Sequence, residues 1–219
     1  MTRVRNSELR TQRQTVITDV EFSEILERAR QIKDTFLKLR AQAVLCLLRL
    51  TGKRRGEVAI LPLDNFKVEN GFLNVTFILE KKRKGTVLSK TARKSIPLTD
   101  SLTTPILEYF EYLKTLNPKP TYFLPRVLSV FGRNIILPDS HIGGRQVFNV
   151  VRSLSETTWP HLFRETVASD VIRGDSTIIA AFKVQRRLDL EDVRTGFNYL
   201  KRFSADIIKR EEEKLETSR

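Results

Sequence analysis

The sequence predicts a mainly α chain with a small antiparallel β-sheet (α+β), on three observations. Several stretches repeat apolar residues at the helical period, 100–116 and 159–174 among them. Asn70-Gly71 stands between two short apolar-alternating runs, the strongest local hairpin signal. Hydrophobic residues make up 40% of 219 and charged residues 30%, which suits a globular chain with a real core.

The elements follow in order. Residues 1–17 are polar and basic without periodicity and are expected to form a flexible arm. Thr18 or Asp19 can cap a first helix, with Glu21 in its first turn and Ile25, Leu26 and Ala29 on one face. A second helix covers about 34–50 and ends at Thr51-Gly52, where glycine suits the C-cap. A short helix follows from about Arg55 to Leu61. The Asn70-Gly71 hairpin comes next, and "KSIPL" is a further strand. Between them "EKKRKGTVLSKTAR" makes a long cationic hairpin tip. Residues 100–116 are helical, with Ile106, Leu107, Phe110, Leu113 and Leu116 in one stripe, and Pro118 and Pro120 end the helix. Residues 117–140 read as irregular. "GGRQVFNVVRSL" is another helix. In "WPHLFRETVASDVIRG" Pro160 fits the first helical position and Gly174 the stop. "STIIAAFKVQRRL" is a short helix and 192–216 a long terminal one.

There are 39 Lys and Arg against 26 Asp and Glu, a net charge of +13. A domain this basic is expected to meet a polyanion, nucleic acid first and an anionic membrane surface second. No apolar run reaches the roughly 18 residues of a membrane span, and no signal-peptide core stands at the start. A soluble cytoplasmic protein is expected, nucleoid-associated in a prokaryote. The lone cysteine, Cys46, sits in the apolar run "AQAVLCLLRL" and reads as a core residue. One cysteine and two histidines build no Cys/His zinc site, and there is no P-loop or GxGxxG. No metal and no cofactor is expected.

Chemistry is therefore left to Arg, Lys, His, Tyr and the carboxylates. His161 and Arg164 share a helix face and form a phosphate-handling pair. Taken alone, a surface His near a surface Arg is the simpler reading. Arg54 lies just past a buried helix end, so its backbone is anchored while its side chain is free. Taken alone, a solvated basic turn is the simpler reading of it. Lys81, Lys82, Arg83, Lys84 and Lys90 crowd the hairpin tip, as a solvated face or a backbone-binding patch. Tyr199 has Arg194, Lys201 and Arg202 nearby. A tyrosine with its ordinary pKa of about 10 needs such cations, or a base, to act as a nucleophile. Its bland alternative is a packed ring on an amphipathic helix.

The order of these signals is more specific than any one of them. Arg after a buried helix and Thr-Gly, then Lys on a hairpin, then H-x-x-R, then Tyr about 35 residues on, resembles the tyrosine recombinase (integrase) family. "TGKRRGEVAIL" is similar to its first box, T-G-x-R-x-x-E-[LVI]-x-x-L, and makes Arg54 the catalytic arginine. "HLFRETVAS" is similar to its second, H-x-[LF]-R-x-T-x-A-[ST], and adds His161 and Arg164. Tyr199 falls where the family keeps its nucleophile. "SKTARKSIPL" resembles the phage-integrase lysine element and favours Lys90 as the catalytic lysine, with Lys81 and Lys84 as alternatives. Leu190 stands where the family often carries His or Trp, nine residues before the tyrosine, and Arg187 is the accessory donor expected in its place.

The resemblance implies a catalytic domain over 18–205, with a charged tail at 206–219 that docks on a neighbouring protomer or packs on its own domain. It implies double-stranded DNA and further protomers, a dimer or tetramer on DNA, as partners, and strand cutting and rejoining through a 3′-phosphotyrosine without metal or ATP. Lys53, Arg55, Lys82 and Arg83 are expected to contact the DNA backbone, and Glu57 to orient the turn. A type IB topoisomerase-like enzyme and a catalytically impaired DNA-binding relative are the alternatives. Only a short arm precedes the catalytic region, so the chain is expected to be a minimal recombinase or a catalytic fragment.

Overall fold

Helix α2 (Thr35–Thr51) is the axis of the molecule, because its sequence is apolar nearly all round. Every residue from Ala41 to Leu48 is buried, and such a helix must be central. Asp34 caps it, its carboxylate accepting the Leu37 N–H at 2.8 Å. Around it pack α1 (Asp19–Arg30), α4 (Thr103–Thr115), α5 (Gly144–Arg152) and α6 (Pro160–Gly174). The computed structural model describes residues 16–79, 90–131, 133–174 and 177–204. The cationic tip with Lys81, Lys82, Arg83 and Lys84 lies outside these residues, as do the tail 206–219 and positions 1–15 of the expected arm.

The helix ends follow the local chemistry. Thr18 and Glu21 form a reciprocal capping box at the start of α1. Pro160 occupies the first position of α6. A five-residue helix, α3 (Arg55–Ala59), follows α2 directly. The remaining helices are α7 (Ile178–Leu188) and α8, over 193–204. One expectation fails at the start. Ile17 is no part of a loose arm: it is 3% exposed, and its N–H donates to Thr166 Oγ1 at 2.9 Å. An isolated isoleucine carries no period, so only its docking on α6 reveals it.

Strands β1 (Phe66–Glu69), β2 (Phe72–Ile78) and β3 (Thr91–Pro97) form an antiparallel sheet in that order. Asn70 and Gly71 both have positive φ, 52° and 78°, the type I′ geometry that joins two twisted strands. Leu73, Val75 and Phe77 face the core from β2. A second sheet corrects the irregular reading of 117–140: β4 (Pro125–Val130) pairs antiparallel with β5 (Arg133–His141). Its apolar residues do not alternate in and out. Leu128, Val130 and Ile135 are all exposed, and its turn carries Phe131 at φ 49° rather than Asn or Asp. Neither signal of a hairpin is therefore present in the sequence. No helix of the described residues is long and apolar enough to cross a membrane.

Two cores result. The larger gathers α1 to α5, the first sheet and the start of α6. The smaller joins the end of α6 to α7 and α8. The candidate site lies where they meet.

Candidate active site

Gly52 starts the site. It ends α2 in the left-handed region (φ 61°, ψ 22°), and a Cβ there would sit 2.6 Å from Leu188 Cδ2 and 3.2 Å from Val167 Cβ. Glycine thus brings the loop after α2 directly onto α6 and α7. Two residues on, Arg54 leaves the loop with its side chain 31% exposed. Glu57, 1% exposed, holds it from below: Oε2 accepts the Arg54 N–H at 3.0 Å and Oε1 accepts from Nη1 at 2.9 Å. The orienting role expected of Glu57 has this geometry.

Helix α6 supplies His161 and Arg164. Arg164 is 2% exposed and forms the floor. Its Nη1 donates to the Gly52 carbonyl and its Nη2 to the Leu188 carbonyl, both at 2.7 Å. One guanidinium so ties the end of α2 to the end of α7, and each terminal nitrogen keeps a second N–H. Burial pushes its pKa down, Arg54 adds to this, and the hydrogen-bonded hydroxyl of Tyr199 opposes it; the group stays cationic. Tyr199 arrives from α8, its ring stacked 6.2 Å from Phe203 and packed on the smaller core. His161 is largely exposed, with Nε2 3.5 Å from Glu165 Oε1. Burial, and then the charges of Arg164, Arg202 and Arg54, lower its pKa against the pull of Glu165. At neutral pH the imidazole is neutral and can accept a proton.

Arg54, His161, Arg164 and Tyr199 are therefore brought together, although 145 positions of chain separate the first from the last. Arg54, His161 and Arg164 share a cleft of about 580 Å³ with Arg55, Arg145, Phe148 and Trp159, and no carboxylate lines it. Such a cleft suits an anion: guanidinium groups can donate to its oxygens, and a neutral imidazole beside them can accept a proton. Tyr199 reaches this cluster through Arg164 and is not itself part of the cleft lining.

Other expected residues lie elsewhere. Lys53, expected to contact the DNA backbone, borders the cleft but has its ammonium turned to Asp189. It is 1% exposed, with Nζ 2.8 Å from Asp189 Oδ2. Leu190 is 9% exposed and belongs to the smaller core. Arg187 donates to the Leu50 carbonyl at 2.7 Å, at the negative end of α2. Lys90 is exposed at the base of the β2–β3 hairpin, where its carbonyl accepts the Leu79 N–H.

The sequence reading missed three residues here. Lys94 of β3 puts Nζ 2.7 Å from Asp189 Oδ2, and the carbonyls of Arg186 and Arg187 accept its other bonds. Asp189 thus clamps buried Lys53 and half-buried Lys94 under the floor. Burial pushes both ammonium groups down from the ordinary lysine value, and Asp189 pulls them back up. Asp189 itself sits in the left-handed region (φ 51°, ψ 47°) at the end of α7, a conformation an aspartate tolerates better than most residues. Glu165, beside His161, also accepts from Arg202 Nη1 at 3.0 Å and fastens α8 to α6. The His161–Glu165 spacing was visible as an i,i+4 pair. The Asp189 contacts, 136 and 95 positions from their lysines, left no local trace.

No family model matches the chain, and no curated protein matches it in sequence. Solved structures do. A XerH site-specific recombinase bound to difH substrate superposes with a TM-score of 0.60 at 16% identity, covering 84% of this chain and 49% of that one. XerA recombinase gives 0.57 at 18%, covering 85% and 60%. A lambda integrase dimer bound to a COC' core site gives 0.51 at 16%, covering 86% and 48%. All three are tyrosine recombinases, and the chain has the fold of their catalytic part. It spans about half to three fifths of the length of these structures.

Proposed function

We propose that the chain is the catalytic part of a site-specific DNA recombinase that cuts and rejoins strands through Tyr199. One observation carries the reading: Arg54, His161 and Arg164 converge in a cleft lined by cations and by no carboxylate, and the Arg164 guanidinium at its floor also meets the Tyr199 hydroxyl. The recombinase fold supports it.

The Tyr199 oxygen attacks a backbone phosphorus as its proton passes to His161 Nε2, neutral at working pH. The bond from phosphorus to the 5′ oxygen breaks, and that oxygen leaves with the electron pair. It takes a proton from a hairpin lysine, Lys90 first, with Lys81 and Lys84 behind it. Lys94 is not that donor, because Asp189 and two carbonyls already occupy its ammonium. Arg54 and Arg164 hold the non-bridging oxygens as charge builds in the transition state. One phosphodiester is exchanged for a 3′-phosphotyrosine, so rejoining to another 5′-hydroxyl consumes no nucleotide. Recombination adds a second DNA site and further protomers.

Covalent capture tests this. A pool of randomised duplexes, each nicked so that the cut end is lost, is incubated with the chain. Protein–DNA adducts are then isolated on a denaturing gel and sequenced. Adducts enriched in one sequence are expected from the wild type and none from Tyr199→Phe. An adduct that persists in Tyr199→Phe, or none with any sequence, overturns the reading.

A further inference from the structure

The wall of the cleft opposite His161 is built differently from its floor. Arg55 at the start of α3 and Arg145 in the first turn of α5 approach one ring, that of Phe148, at 5.8 and 5.0 Å from its centroid. The helices meet closely because residue 144 is glycine: a Cβ there would lie 3.3 Å from Arg55 Cγ and 3.5 Å from the Gly56 backbone. Arg49, Arg54, Arg93 and Arg202 each have a carboxylate partner. Among the described residues no ion pair is formed by Arg55 or Arg145. Two like charges are thus held across a shared aromatic ring with no counter-anion, an arrangement that a bound anion relieves.

We propose that Arg55, Arg145 and Phe148 form a second phosphate subsite, which takes the phosphate next to the one cut by Tyr199. The proposal rests on the recombinase reading and names the part of the substrate gripped outside the reacting centre. The cleft is continuous from Arg164 to Arg145, and successive phosphates of one strand rise by only about 3.4 Å along the helix axis. A strand whose scissile phosphate lies over Arg54 and Arg164 continues along the same cleft, so a flanking phosphate is the group available to Arg55 and Arg145. Arg145 acts here as a binding residue: it touches substrate equally in ground and transition state, so it contributes to KM and leaves kcat alone.

The test uses the full chain and duplexes recovered by the covalent capture. Arg145→Gln is expected to raise KM about tenfold, with kcat within about twofold of wild type; Arg145→Lys recovers part of the loss. An uncharged methylphosphonate is then placed in turn at each phosphate flanking the cut. At one flank the two changes are expected to be non-additive, since Arg145→Gln has nothing further to lose once its anion is gone. At a phosphate remote from the cut they add. Additive effects at both flanks, or a loss confined to kcat, overturn the subsite while the wild-type adduct still stands. A wild type that forms no adduct overturns the recombinase reading and the subsite with it.

Discussion

Glu165 carries two duties at a single oxygen, toward His161 at 3.5 Å and Arg202 at 3.0 Å. His161 faces Glu165 on its own helix, Arg164 beneath, Arg54 from the loop after α2 and Arg202 from α8, and only the carboxylate raises its pKa. With that pKa already below its ordinary value, the titration of His161 limits cleavage on the acid side. Glu165→Gln removes the one raising influence, so the acid limb of the cleavage-rate profile is expected to move to lower pH. A limb that stays or moves upward assigns it to another group. The sequence displayed His161 and Arg164 because the helical period puts them on one face. It concealed Arg145 and Asp189, whose partners are set by the fold rather than by spacing.

Among the elements, the crossing of α7 and α8 is the most sensitive to one atom. Gly196 packs on the Ala181 carbonyl, where a Cβ would fall inside van der Waals contact with backbone that cannot swing away. Gly196→Ala is expected to push α8 off α7, at about 1–3 kcal/mol of overpacking. The shift carries Tyr199, three residues on, away from Arg164. An error of about 1 Å in placing a nucleophile costs about a hundredfold in rate. Adduct formation should therefore fall by that order while DNA binding, which the proposed function assigns to α3, α5 and α6, holds. Binding and adduct formation lost in parallel would place the damage in the fold instead. The helices and the first hairpin were legible because caps, stops and Asn70-Gly71 are local chemistry. The β4–β5 hairpin was not, since both its faces are partly exposed and its turn uses neither Asn nor Asp.

For the whole molecule the net charge of +13 governs association. Much of the grip must fall on phosphate, so log K for DNA should fall linearly with log salt, by about 0.9 for each phosphate neutralised. A titration of labelled duplex at several salt concentrations measures the slope, and a flat line removes the electrostatic account. Taken by itself, the sequence determined the mainly α fold with its first hairpin, and it singled out a polyanion as the expected partner and Arg54, His161, Arg164 and Tyr199 as the candidate site. Each of these is written in composition, in short spacing or in the order of boxes along the chain. Only the tertiary structure decided that Lys53 is turned to Asp189, that Leu190 is core, that Ile17 is docked and that Arg145 faces the cleft. Those outcomes depend on which distant segments touch, and burial and pairing are properties of contacts that no window of sequence contains.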